Sequence, residues 1–383
     1  MALITTDGSK TLYTYFPETT AGTAAAGAYQ TLRSKVGVKF DLKRDTFMSK
    51  DRRSDRMESS MSYGNRSGSG SIPIEWSYGT YDDILEAITG GTWTAEVLKI
   101  GNTARTFTFE ETSDELDIVE RMLGVQFSGF SISQKVNNIA EGTLDFIFRD
   151  TRVAQTKGVN LAYDATAKTI TRSSAGFQTV DGWQLGDAVC GLGNADAGNN
   201  NTTPWVITTL TDTVMTFTTA TGIVTKTATS GITLNLATIA TSVVAPTTTA
   251  PFDSFTGTIQ EGGTTIAHVT GWDLKVEQNV EPNFACGSPV AQSVSVGTIK
   301  VSGNITVYYV DQALRKKFIN GVGTSLKLIL GSVAAKKAYT IDLGTVKYTS
   351  NTRDDTELAR TESLAFAATY TATDTTIKIT RTP

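Results

Sequence analysis

Histidine occurs once in the 383 residues, as His268. A single imidazole with no cysteine or carboxylate at ligand spacing reads as structural, not as a catalytic group or a metal ligand. Cysteine occurs twice, at Cys190 and Cys286. So distant a pair is expected to be two buried, reduced thiols, not a disulfide framework. Charged residues make up 19% of the chain and the formal net charge is −4, which argues against a surface built to grip nucleic acid or anionic lipid. No apolar run approaches the ~20 residues needed to cross a bilayer as a helix. The opening MALITTDGSK lacks the basic start and apolar core of a signal peptide, so the expectation is a chain made in a cytoplasm and not exported by the usual route. HExxH, CxxC, GxSxG and a phosphate-binding glycine loop are all missing. The GSGS at 68–71 precedes a strand, so its glycines cannot set helix-end amides around a phosphate. No catalytic, cofactor-binding or metal-ligating residue is assigned, and no cofactor is expected.

What is present favours strands. Threonine and glycine are abundant, proline is scarce, and helical periodicity is confined to short pieces. The stretch GSGSIPIEWSYGTYDDILEAITGG, 68–91, organises the reading. Ile72, Ile74, Trp76 and Tyr78 alternate with polar or small residues, the mark of a half-buried strand. Helical spacing then takes over at Ile84, Leu85 and Ile88, with Thr80 and Asp83 set as a capping box and Gly90 and Gly91 as the stop.

The same layout returns 229 residues on, in GTIKVSGNITVYYVDQALRKKFING. Val301 falls opposite Ile72 and Ile305 opposite Trp76, with Gly303 opposite Ile74 and Val307 opposite Tyr78. Asp311 falls opposite Asp82 and Leu314 opposite Leu85. The flanks agree: Val125-Gln126-Phe127 is similar to Val346-Lys347-Tyr348, and Leu144-Asp145-Phe146 to Leu364-Ala365-Phe366. Four elements recurring in one order indicate a duplication.

At this length two or three domains are expected. Residues 1 to about 30 read as an extended arm or loop. A strand follows through Val36, Val38, Phe40 and Leu42, then a long charged segment read as a loop over 43–66. Loops of that length are usually functional or disordered. Strands are expected at Phe107 and Phe109, Val125–Ile132 and Thr143–Phe148, closing a first domain, 1–150. From 151 charges thin out and short β-patterned runs appear at 169–171, 205–207, 214–217 and 232–236, indicating an inserted β-sandwich, 151–250, that ends at VVAPTTTAP. The second copy occupies 251–383; there Trp272, Leu274 and Val276 alternate as Phe40 and Leu42 do.

Two clusters could carry chemistry. Glu110, Glu111, Asp114, Glu115 and Asp117 could supply a glycosidase pair or a cation site, but lack calcium-loop spacing and read as a solvated turn. Lys43, Arg44, Lys50, Arg52, Arg53 and Arg56 are interleaved with Asp45, Asp51, Asp55 and Glu58. Such mixed charge suits salt-bridged contact with another protein better than phosphate binding. Trp183 and Trp205 leave a carbohydrate-binding or adhesive β-protein as the alternative; as core residues they would leave none.

At RRSDRM…GSGSIPIEWSYGTYDDILEAITGGTW, and again at GTIKVSGNITVYYVDQALRKKFINGVGTSLKLIL and RTESLAFAATYTATDTTIKITR, the chain resembles the tail tube proteins of long, non-contractile-tailed bacteriophages. The resemblance covers most of 33–150 and 252–383. GWQLGDAVCGLGNADAGNNN resembles, more weakly, the outward-facing decoration modules of such proteins. The resemblance implies a mainly β, non-enzymatic virion protein with two tail-tube domains of sandwich or barrel type, each with a short helix, and an inserted Ig-like module. It implies rings of six such domains, so three chains per ring, stacked into a tube assembled in the host cytoplasm. DNA would pass through without specific binding, and tail tip, tape measure and tail terminator proteins would be partners. The loop residues Lys43, Arg44, Lys50, Arg52, Arg53, Asp55 and Arg56 are the expected contact between rings, and the lumen is expected to carry more acid than base.

Overall fold

The structure is a computed structural model; it describes residues 8–52, 54–55, 57–113, 118–201, 203–355 and 359–383. Among the described residues, the regular structure is β apart from two α-helices and short 3₁₀ turns. Contacts divide the chain into two compact units: 1–32 with 107–124 and 150–245, and 33–106 with 125–149 and 246–383. The division differs from one cut at 150 and 250, because 1–32 and 107–124 group with the middle of the chain.

In the first unit, the residues read as an arm form two strands. Thr11–Pro17 pairs antiparallel with Phe107–Ser113, and Gly27–Thr31 pairs with it and runs parallel to Ala240–Val244. Tyr15 supplies the reason, packing edge-on against Phe107 and stacked on Phe109. The middle of this unit is an eight-stranded antiparallel set, in the order 155–157, 233–236, 188–192, 205–210, 214–217, 169–172, 161–164 and 226–229. Its core holds Trp183, Trp205, Tyr163, Phe177 and Phe217. Both tryptophans are sealed, and the Trp183 Nε1–H donates to Thr156 Oγ1 at 2.9 Å, so neither offers a ring face to a sugar. Neither cysteine is buried: Cys190 is half-exposed, its thiol donating to the Asn201 carbonyl at 3.3 Å, and Cys286 is exposed.

Glu110 corrects the reading of a solvated turn. It is fully buried on the Phe107–Ser113 strand, where it accepts from Arg121 Nε at 2.8 Å and from Thr238 Oγ1. Arg121 also donates to the Ala237 carbonyl at 2.7 Å and lies 3.7 Å from Asp187, whose carboxyl is pushed up by burial. A buried carboxylate persists because a charge partner and hydrogen bonds replace its water. Asp114, Glu115 and Asp117 lie outside the described residues.

The second unit is organised by one continuous antiparallel sheet of eight strands. Lys39–Met48 pairs with Met61–Glu75, which pairs with Glu141–Phe148, which pairs with the 125–135 part of Ile118–Lys135. That last edge pairs with Val269–Asn283, and the order then repeats through Ser293–Tyr308, Arg360–Thr369 and Lys337–Asp355. Half of the charged segment read as a loop is strand: the first ladder runs out to Met48 opposite Met61. Val36 stays outside the strand and Leu42 is 54% exposed, because no strand covers that side of the hairpin in one chain.

A helix follows the second strand of each half. Asp82–Thr89 buries Ile84, Leu85 and Ile88, starts after Tyr81 without a side-chain cap, and stops at Gly90, whose φ of 64° is left-handed. Thr80 does not cap it; its Oγ1 sits 2.6 Å from Ser77 Oγ and from Thr247 Oγ1. Ala313–Ile319 buries none of its residues, and Asp311 Oδ1 accepts from the Ala313 amide at 2.8 Å.

Candidate assembly interface

The two halves of the eight-stranded sheet share not just an order but a register. Gly70 stands opposite Phe146 and Gly303 opposite Phe366; Ile72 stands opposite Leu144 and Ile305 opposite Leu364. Phe127 faces Phe146 and Tyr348 faces Phe366, and a bulge follows each at once, between Phe127 and Gly129 and between Tyr348 and Ser350. In the hairpins a second bulge falls between Arg44 and Thr46 and between Gln278 and Val280. Bulges re-aim a strand at a fixed point, so two bulges at matching rungs make the halves alike in curvature as well as in order.

The ladders place Ile305 at the position of Ile72 and Val307 at that of Ile74, four residues from the alignment that put Val301 opposite Ile72. The physical reason is the connection between strand and helix. It runs over 76–81 in the first half and over 309–312 in the second, two residues shorter, and Asp82 opens its helix whereas Asp311 stands two residues ahead of its own, so an alignment anchored on Asp82 and Asp311 shifts the strand by four. The shift is even, so side-chain faces are preserved: Ile72, Ile74, Trp76, Leu85, Val301 and Ile305 are all buried. Leu314 is half-buried and Asp311 exposed.

Close approach explains the glycines. A Cβ on Gly70 would stand 2.2 Å from the Phe146 ring, and one on Gly303 would stand 2.2 Å from the Asp273 carbonyl and 2.6 Å from the Phe366 ring. The alternating Ser-Gly-Ser-Gly lets the aromatic rings of the neighbouring strand lie across the backbone. This pattern is visible in the sequence once a strand is assigned there.

One face of the sheet is apolar and buried; the other is polar. On the polar face the paired positions carry Asp41, Glu75, Glu141, Asp145, Asp273, Glu277 and Asp354 against Lys39, Lys43, Lys135, Lys275, Lys300 and Lys347. Acid and base are nearly matched. Lys275 lies against Glu277, which holds its ammonium above the usual lysine range.

The halves are also clasped through side chains that sequence reasoning missed. Tyr339, from the second half, donates to Asp82 and accepts from the Gly79 amide at 2.9 Å. Its ring stacks on Tyr78 at 5.5 Å and on Trp93 at 6.4 Å, with Phe252 edge-on at 5.8 Å. Arg381 reaches Asp82 Oδ2 at 2.5 Å and Glu96 Oε2 at 2.6 Å, lying over the Trp93 ring. Burial and the Asp82 carboxylate push the Tyr339 phenol far above its ordinary range. No local pattern marks these residues, because their partners lie in the other half.

The hairpin of 39–75 extends past the buried part of the sheet. Lys43, Arg44, Lys50, Arg52 and Asp55 are exposed on it, with Arg44 over the Tyr63 ring at 4.2 Å; Arg53 and Arg56 lie outside the described residues. Phe47, Met48, Met57, Met61 and Tyr63 are exposed on the same hairpin. Among the described residues no group of three or more His, Cys, Asp or Glu is arranged to hold a metal ion. His268 is half-exposed, and its carbonyl accepts from the Tyr308 amide.

None of the curated proteins matches the chain. Among solved structures it is similar to a chain of the tail of an empty gene transfer agent particle, refined helically with C6 symmetry, at 16% identity over 27% of this chain and 79% of that one, TM-score 0.22. It is similar to a chain of a native gene transfer agent virion at 16% identity over 27% and 82%, TM-score 0.22. The assignment rests on neither: the family model of the phage tail tube protein matches residues 8–381. That family is structural, not enzymatic. A chain matched over almost its whole length, and mainly β as a tube wall requires, belongs to the phage tail tube protein family.

Proposed function

We propose that three copies of this chain close into a ring with pseudo-sixfold symmetry, and that such rings stack into the hollow tube through which DNA is delivered. The observation that carries the reading is the eight-stranded sheet. It consists of two like halves joined edge to edge, with one strand of each kind left over at its ends. An exposed sheet edge is a hazard that closure removes. Identical junctions repeated around an axis close by cyclic symmetry. Eight strands from each of three chains give twenty-four. With strands ~4.8 Å apart and tilted by ~35–45°, such a barrel has a backbone wall about 45–50 Å across, wider than a DNA duplex.

The polar face lines the lumen in this reading. With acid and base nearly matched, it offers no run of unopposed lysine to hold phosphates, so DNA slides without the salt-releasing contacts that would slow it. The hairpin arm with Lys43, Arg44, Lys50, Arg52, Arg53, Asp55 and Arg56 reaches the next ring. The inserted module, 151–250, serves as decoration in this reading. Assembly takes place in the host cytoplasm, with tail tip, tape measure and tail terminator proteins as partners. Electron microscopy of the purified chain tests this: rings or tubes are expected, and discrete monomers under all assembly conditions would overturn it. No specific observation favours carbohydrate binding, since Trp183 and Trp205 are core residues.

A further inference from the structure

The junction between the two halves is an internal copy of a contact that the chain leaves unmade at its ends. In the junction Gly129–Lys135 lies antiparallel to Gly271–Glu277, with Ser133 opposite Asp273, Ile132 opposite Leu274, Phe130 opposite Val276 and Gly129 opposite Glu277. Ladder equivalence locates the corresponding residues elsewhere. Lys39 faces Ser71 as Asp273 faces Asn304, so Lys39 to Lys43 occupy the places of Asp273 to Glu277. Asp354 faces Thr361 as Ser133 faces Glu141, so Ser350 to Asp354 occupy the places of Gly129 to Ser133. Among the described residues, each of these two segments has a ladder partner on one side only.

Resting on the ring reading given above, we infer that Lys39–Lys43 of one copy pairs antiparallel with Ser350–Asp354 of the next, in the register of the internal junction. Lys39 then stands opposite Asp354, Phe40 opposite Arg353, Asp41 opposite Thr352, Leu42 opposite Asn351 and Lys43 opposite Ser350. Three observations favour this occupant. Leu42 is 54% exposed whereas Val276, its equivalent inside the junction, is 0% exposed, so the end edge lacks the strand that covers its counterpart. Lys39 and Asp354, both exposed, bring opposite charges to one rung. A slip by one residue sets Lys39 opposite Arg353, a like-charge pair, and turns Leu42 away from the apolar face.

Paired cysteines test the register in assembled tubes. In a chain carrying Cys190→Ser and Cys286→Ser, one variant takes Lys39→Cys with Asp354→Cys and a second takes Leu42→Cys with Asn351→Cys. The two rungs are three apart, so one of them is a non-hydrogen-bonded pair, where Cβ atoms approach closely enough for a disulfide. Out-of-register controls are Lys39→Cys with Thr352→Cys and Leu42→Cys with Arg353→Cys. Mild oxidation of tubes is expected to give covalent multimers from at least one in-register pair, several-fold more than from the controls, with closed trimers as the largest closed product. Tubes whose controls cross-link better, or whose in-register pairs both stay monomeric on denaturing gels, would overturn the register while leaving the tube reading standing. Failure of the unsubstituted chain to form rings or tubes would overturn the reading beneath it. If a cysteine pair blocks folding, the charge exchange serves instead. Lys39→Glu and Asp354→Lys should each lower tube yield several-fold and together restore it; equal loss in the double variant would overturn the pairing.

Discussion

The phenol of Tyr339 donates a hydrogen bond to the carboxylate of Asp82, 257 positions away in the chain. That contact, with Arg381 beside it, fastens the first helix to the last strands of the other half. Tyr339→Phe keeps the stacking on Tyr78 and Trp93 but leaves the buried end of Asp82 short of a donor, at a cost of about 1–3 kcal/mol. Tyr339→Ala also removes the ring and should cost about 3–5 kcal/mol. Denaturant unfolding of the two variants checks the order; equal losses would show that packing alone matters.

Gly303 is expected to tolerate a side chain worse than Gly70. The added carbon would meet the Asp273 carbonyl at 2.2 Å in the first case, and mainly the movable ring of Phe146 in the second, where the nearest backbone atom is 2.7 Å away. Ala at Gly303 should lower stability by about 1–3 kcal/mol, as overpacking does, and Ala at Gly70 by less. Thermal unfolding of both single variants decides it.

These glycines also mark how much of the fold can be read from the chain. Alternation at Ile72 and Ile74, the flanking triplets ending in Phe127 and Tyr348, and the left-handed stop at Gly90 are local signals, and local signals reach the structure intact. The strand alignment moved by four residues because the connection before the second helix is two residues shorter and Asp311, unlike Asp82, stands two residues ahead of its helix, which no periodicity records. The outer part of the hairpin of 39–75, read as a loop, was hidden because it has no buried face in one chain and so lacks the apolar alternation of a strand. Tyr339, Arg381 and the buried Glu110–Arg121 pair were hidden because each is defined by a distant partner.

Alkaline pH should unfold the chain through its tyrosines. Burial raises the phenols of Tyr13 and Tyr163 to about 12, and those of Tyr29, Tyr81, Tyr339 and Tyr348 further. A phenol whose folded pKa is raised leaves stability whole below its ordinary value of 10.0 and takes it away as pH climbs from there toward the folded value. From about pH 10 up toward pH 12 the denaturant midpoint should fall, and tyrosinate absorbance of these residues should appear together with loss of β-structure. Full ionisation near pH 10 with the fold intact would contradict their burial.

Shortening the hairpin arm separates ring closure from stacking. Replacing 46–63 by a two-residue turn removes exposed Phe47, Met48, Met57 and Met61 but keeps Lys39–Lys43 and its ladder to 67–71. Rings should persist and long tubes be lost, as scored by electron microscopy. Normal tubes would remove the arm from the contact between rings.

The most direct test of the central claim is a reconstruction of the assembled tube that resolves strands and counts chains per layer. The claim predicts three chains in each layer and an unbroken barrel in which the junction of Ser133 with Asp273 recurs between chains as Asp354 with Lys39. Six chains per layer, or sheet ends left apart, would contradict it.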